Sequence, residues 1–347
     1  MVKLEHKKAR LVLRLGDLKL EWAIERRYWR NPLIAVSCLL VLPLLISGRA
    51  DLVSLLTMAS IYACIAIPLT WQITGTSRMN FGPQLFVGVG GFTAGLLGIH
   101  AGLGPWQTLP IVILVSLACA LLLSPLTIIA KGLYFSLITL LLPLIFLEIT
   151  YYRSDIFRGE TGISGIPHLF DLGSISLNYI TGCYFSIALA LLFLFIVDKV
   201  MRSRLGLYAA AINDNEDVAN AVGLNTNRYK VVTFCITSEM IGIAGWLMAH
   251  YYGTFAGVTY LPLIFMIKIL LMVMIGGRGQ LYGAVVGAYF VAFLEYFLTG
   301  IGPVHYVVFP LILLILLFIL PEGLYGLYRK HRYREYYPTI KVRRKEI

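Results

Sequence analysis

Ten apolar runs divide this chain, at about residues 33–48, 51–70, 82–103, 107–130, 132–150, 179–199, 230–252, 261–276, 281–299 and 303–320. A helix needs roughly 20 apolar residues to cross the hydrocarbon core of a bilayer, and somewhat fewer when its flanks snorkel. In hydrocarbon every backbone N–H and C=O must be bonded within the structure, so spans repeated in this way fold as helices. The expected fold class is all-α, a polytopic helical membrane protein with about ten transmembrane helices. The eighth run is short and ends in Gly276-Gly277; a full crossing and a re-entrant segment both fit it. Composition agrees: of 347 residues 59% are hydrophobic and 14% charged, where a soluble chain carries about 25% charged residues. Soluble enzyme, disordered tail and disulfide scaffold are excluded as readings.

The formal charge of +11 is concentrated at the ends. Of 29 Lys and Arg, nine lie within Met1–Arg30 and eight within Arg329–Ile347. Basic clusters beside apolar spans mark cytoplasmic segments facing anionic lipid, a better account than nucleic-acid binding. Both termini are therefore expected in the cytoplasm, which needs an even number of crossings. The polar loop 200–229, edged by Lys199, Arg202, Arg204, Arg228 and Lys230, is expected there too. Six spans precede it and four follow, so the three requirements agree. Residues 1–32 read as a basic amphipathic cytoplasmic or interfacial segment, 33–328 as a transmembrane domain, and 329–347 as a basic cytoplasmic tail of a multi-pass plasma (inner) membrane protein. In the first segment Leu11, Leu15, Leu18 and Trp22 share one helical face, which predicts an interfacial helix. About thirty polar residues precede the first apolar run, so no cleavable signal peptide is expected.

Five cysteines stand singly in apolar runs, with no C-x-x-C pair, so neither a metal site nor a disulfide framework is expected. No phosphate loop, H-E-x-x-H or G-x-S-x-G motif occurs. The chain is expected to have no catalytic residues, metal or cofactor and not to be an enzyme, so that any nucleotide hydrolysis belongs to another chain. Glycines cluster twice, with G-x-x-x-G from Gly91 to Gly95 and from Gly283 to Gly287, the latter beside Gly276-Gly277. Such spacing lets helix backbones approach closely in lipid.

Three ionisable residues lie deep in apolar runs: Glu239, Lys268 and Glu295. Each costs about 2.5–3.5 kcal/mol at mid-membrane on insertion scales. Lys268 paired with Glu239 or Glu295 removes most of that cost. The group reads either as a polar element of a permeation path or as a structural ion pair holding spans in register. In the loop 200–229, Ala209–Ile212 favours a helix. Asn213 or Asp214 is placed to cap a second one with acids in its first turn, and Gly223 to stop it. A short helix between basic-flanked spans suits docking of a soluble partner.

At this point the chain resembles the LivM-type permease subunits of branched-chain amino acid ABC importers, over about residues 50–328. The likeness rests on Ser203-Arg204-Leu205-Gly206, Asn215-Glu216, Ala219-x-Ala221-x-Gly223, Leu270–Gly277, Gly279–Ala288 and Leu320-Pro321-Glu322-Gly323-Leu324. Upstream, Lys131-Gly132-Leu133-Tyr134-Phe135 and Thr161-Gly162-Ile163-Ser164-Gly165-Ile166 are similar to family elements. The resemblance implies a second, LivH-like permease subunit, two cytoplasmic ATPase subunits that use ATP, and an extracytoplasmic substrate-binding protein. It also implies that Asn213, Asn215, Glu216, Ala219, Ala221 and Gly223 belong to the helix that couples to an ATPase.

The expected function is import of branched-chain or related hydrophobic amino acids. Asn80, Gln84 and Thr161, with Glu239, Lys268 and Glu295, are the candidate path residues. Pro83-Gln84-Leu85 and Lys268 depart from the family's usual residues, and these departures bear on substrate. A permease for urea or short-chain amides is the alternative. In a different class, a stand-alone secondary transporter or channel would use the three charges and have no need of a docking helix.

Overall fold

A computed structural model describes residues 10–15, 18–23, 42–46, 48–76, 78–130, 132–277, 279–320 and 323–326. The chain divides into two units, Met1–Gly48 and Arg49–Ile347. In the first, β1 (Arg10–Leu15) and β2 (Leu18–Ala23) pair antiparallel in the register Arg10↔Ala23 through Leu15↔Leu18. This corrects the interfacial helix. The residues that share a helical face also alternate along a strand, with Lys19 and Glu21 between Leu18, Leu20 and Trp22. In sequence terms a glycine at position 16 also weakens a helix there, by about 1 kcal/mol. The first expected span, 33–48, lies largely outside the described residues, as do the basic tail and most of 1–32.

The second unit is a helical bundle. Its helices are α1 (Ala50–Thr76), α2 (Pro83–His100), α3 (Pro105–Leu123), α4 (Leu126–Ile129), α5 (Leu133–Tyr152), α6 (Ser154–Phe157) and α7 (Ile175–Met201). They continue as α8 (Arg204–Asp214), α9 (Glu216–Ala221), α10 (Thr226–Tyr252), α11 (Gly257–Tyr260), α12 (Leu263–Gly277), α13 (Leu281–Thr299) and α14 (His305–Ile319). Among the described residues, eight helical stretches are long and apolar enough to cross a membrane. The eighteen-residue α2, where a span was expected over 82–103, is not one of the eight. The short eighth run joins α11 to give a 21-residue stretch, Gly257–Gly277, interrupted ahead of Leu263. Pro262 there cannot donate a helical hydrogen bond.

Connections sort onto two ends. At one, Arg78 meets Glu216, Tyr282 meets Asp198, and Gly323 abuts Gly277. At the other, Trp246 bonds the Pro105 carbonyl, Tyr296 bonds Asp51, and β3 (Ile163–Ser164) pairs with β4 (Thr254–Phe255). This is the alternation expected for helices that cross in turn.

α1 is the central helix, with 83% of its most apolar window buried inside the bundle. Its hydroxyls turn back onto their own helix: Thr57, Ser60, Thr70 and Thr76 donate to the carbonyls of Val53, Leu56, Ala66 and Gln72 at 2.7–2.8 Å. A hydroxyl satisfied this way needs no neighbour in a dry interior.

Glycine contacts set the spacing of two helix pairs. A Cβ on Gly276 would lie 2.0 Å from the Gly283 carbonyl oxygen, and one on Gly287 2.0 Å from that of Met272, so α12 and α13 touch backbone to backbone. A Cβ on Gly90 would lie 1.9 Å from the Gly242 oxygen, which joins α2 to α10. The G-x-x-x-G of α2 does otherwise: Gly91 faces the Phe255 ring, and Gly95 faces Ile163 and Ile166. These two glycines seat the β3–β4 clasp rather than a second helix, because their face of α2 turns toward the connections and not toward α10.

Candidate functional site

The connection between α7 and α10 folds into two short helices with explicit caps. Ser203 caps α8, its hydroxyl accepting from Leu205 N–H at 3.2 Å. Asn215 caps α9, its Oδ1 accepting from Asp217 and Val218 N–H at 3.0 and 3.1 Å. The expected cap at Asn213 or Asp214 is thereby corrected: both complete α8, and exposed Asn213 faces solvent. The later cap leaves Glu216 and Asp217 in the first turn, where the helix dipole favours acids.

α9 ends in a paired motif. Gly223 N–H donates to Asn220 O at 3.0 Å and Leu224 N–H to Ala219 O at 3.1 Å, with Gly223 at φ 88°. That left-handed conformation suits glycine and is the usual C-terminal stop. Ala219 is buried against Ala209, Ile212 and Tyr229, so one face of α9 is fixed to the bundle. Ala221 lies on the other, with Val218 and Val222 58% and 71% exposed. An apolar strip open to solvent beside acids is a surface suited to a partner.

Glu216 is the anchor. Its Oε1 accepts from Lys230 Nζ and its Oε2 from Arg78 Nη2 at 3.4 Å. Lys230 and Arg78 are 1% and 6% exposed. Partial burial raises the Glu216 carboxyl, but the Lys230 ammonium and the Arg78 guanidinium outweigh it. Its pKa therefore lies below the ordinary value. Beside this anchor a cavity of about 460 Å³ opens between α8 and the start of α10, lined by Trp71, Tyr208, Ile212, Leu224 and Tyr229 among others.

The six candidate path residues do not form one cluster. Asn80 is buried between α1 and α2: its Nδ2 donates to Gln72 Oε1 at 3.1 Å and its Oδ1 accepts from Gly82 N–H at 2.8 Å. Gln84, in the first turn of α2, is fully enclosed, and neither its Oε1 nor its Nε2 has a hydrogen-bond partner among the described residues. Thr161 is exposed on the connection beyond α6 and bonds the Arg158 carbonyl at 2.9 Å, so its hydroxyl serves a turn. Lys268 pairs with Glu295, not Glu239. Both carboxylate oxygens of Glu239 are enclosed without a partner among the described residues. Among those residues no group of three His, Cys, Asp or Glu is placed to hold a metal ion.

Sequence reasoning missed Arg78 and treated Lys230 only as the edge of a loop. A signal was present: Arg78 is the one Asp, Glu, Lys or Arg between Asp51 and Lys131. A single charge in so long an apolar stretch has to meet a counter-charge or polar backbone.

The family described as branched-chain amino acid transport system / permease component matches residues 52–320. The LivM permease of the high-affinity branched-chain amino acid transport system of Salmonella typhimurium is 27% identical over 261 residues, 68% of this chain and 61% of the relative. LivM of Escherichia coli is 26% identical over 271 residues, 71% of this chain and 63% of the relative. BraD, a permease of the high-affinity branched-chain amino acid transport system of Pseudomonas aeruginosa, is 26% identical over 299 residues, 80% of this chain and 95% of the relative. The aligned region thus spans less than two thirds of either LivM relative. No solved structure matches the chain.

Proposed function

We propose, because this chain belongs to the family of permease components of branched-chain amino acid transport systems, that it is a permease subunit of an ATP-driven importer of branched-chain or related hydrophobic amino acids. It sits in the plasma membrane as a multi-pass protein beside a second, homologous permease. Two cytoplasmic ATPases bind and hydrolyse ATP, and an external binding protein delivers substrate. The observation that carries the reading is α9: capped at both ends, ion-paired to the bundle through Glu216 on one face, and apolar and exposed through Val218 and Val222 on the other. A helix held this way passes a push from a soluble partner into the spans. Binding energy at the ATPases then shifts the bundle between outward- and inward-open arrangements.

The test is reconstitution in proteoliposomes with the second permease, the ATPases and the binding protein. The expected result is uptake of leucine, isoleucine or valine that requires ATP and stops when Val218 and Val222 are both changed to Asp. Uptake by this chain alone without ATP would remove the proposal, and ATP-driven uptake of urea or short amides instead would move it to the alternative substrate class.

A further inference from the structure

The five residues Arg78–Gly82 between α1 and α2 form an elbow tied to four other parts of the bundle. Arg78 Nη1 donates to the carbonyls of Thr127 and Ala130 at the end of α4, the second at 2.6 Å, while Nη2 reaches Glu216 on α9. Glu216 is at the same time held by Lys230 of α10. Ser136 of α5 donates to the Met79 carbonyl at 2.7 Å, and Phe81 N–H donates to Thr139 Oγ1 at 3.1 Å. Asn80 joins Gln72 of α1 to the backbone of Gly82. A Cβ on Gly82 would lie 2.3 Å from the Thr139 carbonyl oxygen, so the elbow runs directly along α5. Pro83 follows as the first residue of α2, then Gln84 with its unpartnered amide.

We infer that Arg78 is the positioning residue through which displacement of α9 reaches the start of α2. The argument is one of stiffness. A guanidinium is a planar fork whose donors keep fixed directions, so the α4 carbonyls and the Glu216 carboxylate bind opposite parts of one rigid plate. The segment behind the plate is short and bonded at nearly every residue. It has no slack to absorb a shift, which therefore arrives at Pro83-Gln84. An enclosed amide with no partner marks a place where a second arrangement offers bonds that this one lacks. Arg78 acts on Gln84 only through the elbow. The inference rests on the reading of α9 as the docking helix.

Two measurements test it. Hydrogen exchange of the chain alone in lipid nanodiscs compares wild type with Glu216→Gln, a change at the half-exposed end of the linkage. Exchange is expected to rise at least tenfold both in α9 and over residues 78–84, with α13 unchanged. A rise confined to α9 would overturn the linkage. In proteoliposomes with all partners, Arg78→Lys keeps the charge but loses the fork. It is expected to lower amino acid moved per ATP severalfold while assembly and hydrolysis persist. A parallel fall in uptake and hydrolysis, or no change, would overturn it. If wild type shows no ATP-driven uptake, the transport reading fails, and the exchange measurement still decides the linkage.

Discussion

Lys268 on α12 and Glu295 on α13 meet at 2.5 Å, and the Lys268 ammonium also lies 5.5–5.9 Å from the ring centres of Tyr62, Phe265 and Phe309. Cation and carboxylate neutralise each other inside the apolar bundle, and the rings add attraction for the cation. Lys268→Met alone is expected to destabilise the protein by about 3–5 kcal/mol, because it strands Glu295. Lys268→Met with Glu295→Leu should recover most of that loss. Thermal unfolding in detergent reads both; additive losses in the double variant would mean that the two charges do not stabilise one another.

The backbone contact between α12 and α13 predicts a steric result. Gly283→Ala places a methyl 2.4 Å from the Gly276 carbonyl oxygen, and the cost expected for such overpacking is about 1–3 kcal/mol. Gly300→Ala, where the backbone is right-handed at φ −63° and the nearest neighbour is an ordinary 3.7 Å away, serves as the control and should be neutral. Equal stability for the two variants would remove the close contact.

Glu216 predicts a pH dependence of docking. Its pKa is lowered in the folded protein, so the stabilisation it contributes is fully present above its unfolded value, about 4.3. That contribution is lost as pH falls through the lower folded value. Exchange protection of α9 should therefore be level through neutral pH and decline only below about pH 4.3. Glu216→Gln should flatten the decline. A loss of protection between pH 6 and 8 would assign control to another group.

At Gly223 a side chain meets open space, so the penalty of replacing it is confined to the backbone at φ 88°. Gly223→Val is expected to fray the last turn of α9 and to separate hydrolysis from uptake in the reconstituted importer. Gly223→Asn, which tolerates the left-handed region better, should restore part of the coupling. Normal transport in the valine variant would argue against α9 as the docking element.

Much of the bundle was legible because its signals are local and repeated. Nine of the ten apolar runs reappear as helices within a few residues, from α1 to α14, since length and apolarity alone select helices in lipid. Gly223 was legible as a stop because few residues accept its backbone angles. The Asn215 cap was misplaced by one or two residues because Asn213, Asp214 and Asn215 are chemically equivalent as caps. The β1–β2 pair was hidden by a pattern that satisfies both helical and strand periods. The tie from Arg78 to Glu216 is least visible of all: 138 residues separate the partners, and no periodicity spans such a gap. Lys268 could have chosen either acid on composition, and only packing selects Glu295.

α1 leaves the ribosome well before α7, α10 and α13, the helices that finally enclose it. The innermost helix of the finished bundle therefore passes an interval surrounded by lipid. It is equipped for that interval, because the hydroxyls of Thr57, Ser60, Thr70 and Thr76 are already bonded to carbonyls one turn back. Its polar contacts with other segments have to wait, among them Gln72 for Asn80 and the Ser60 hydroxyl for Tyr289 at 2.7 Å. The first forms as soon as the following residues emerge, the second only when α13 arrives. The hydrogen-bonding of one helix thus sets an order of biogenesis, in which the centre is laid down first and sealed last.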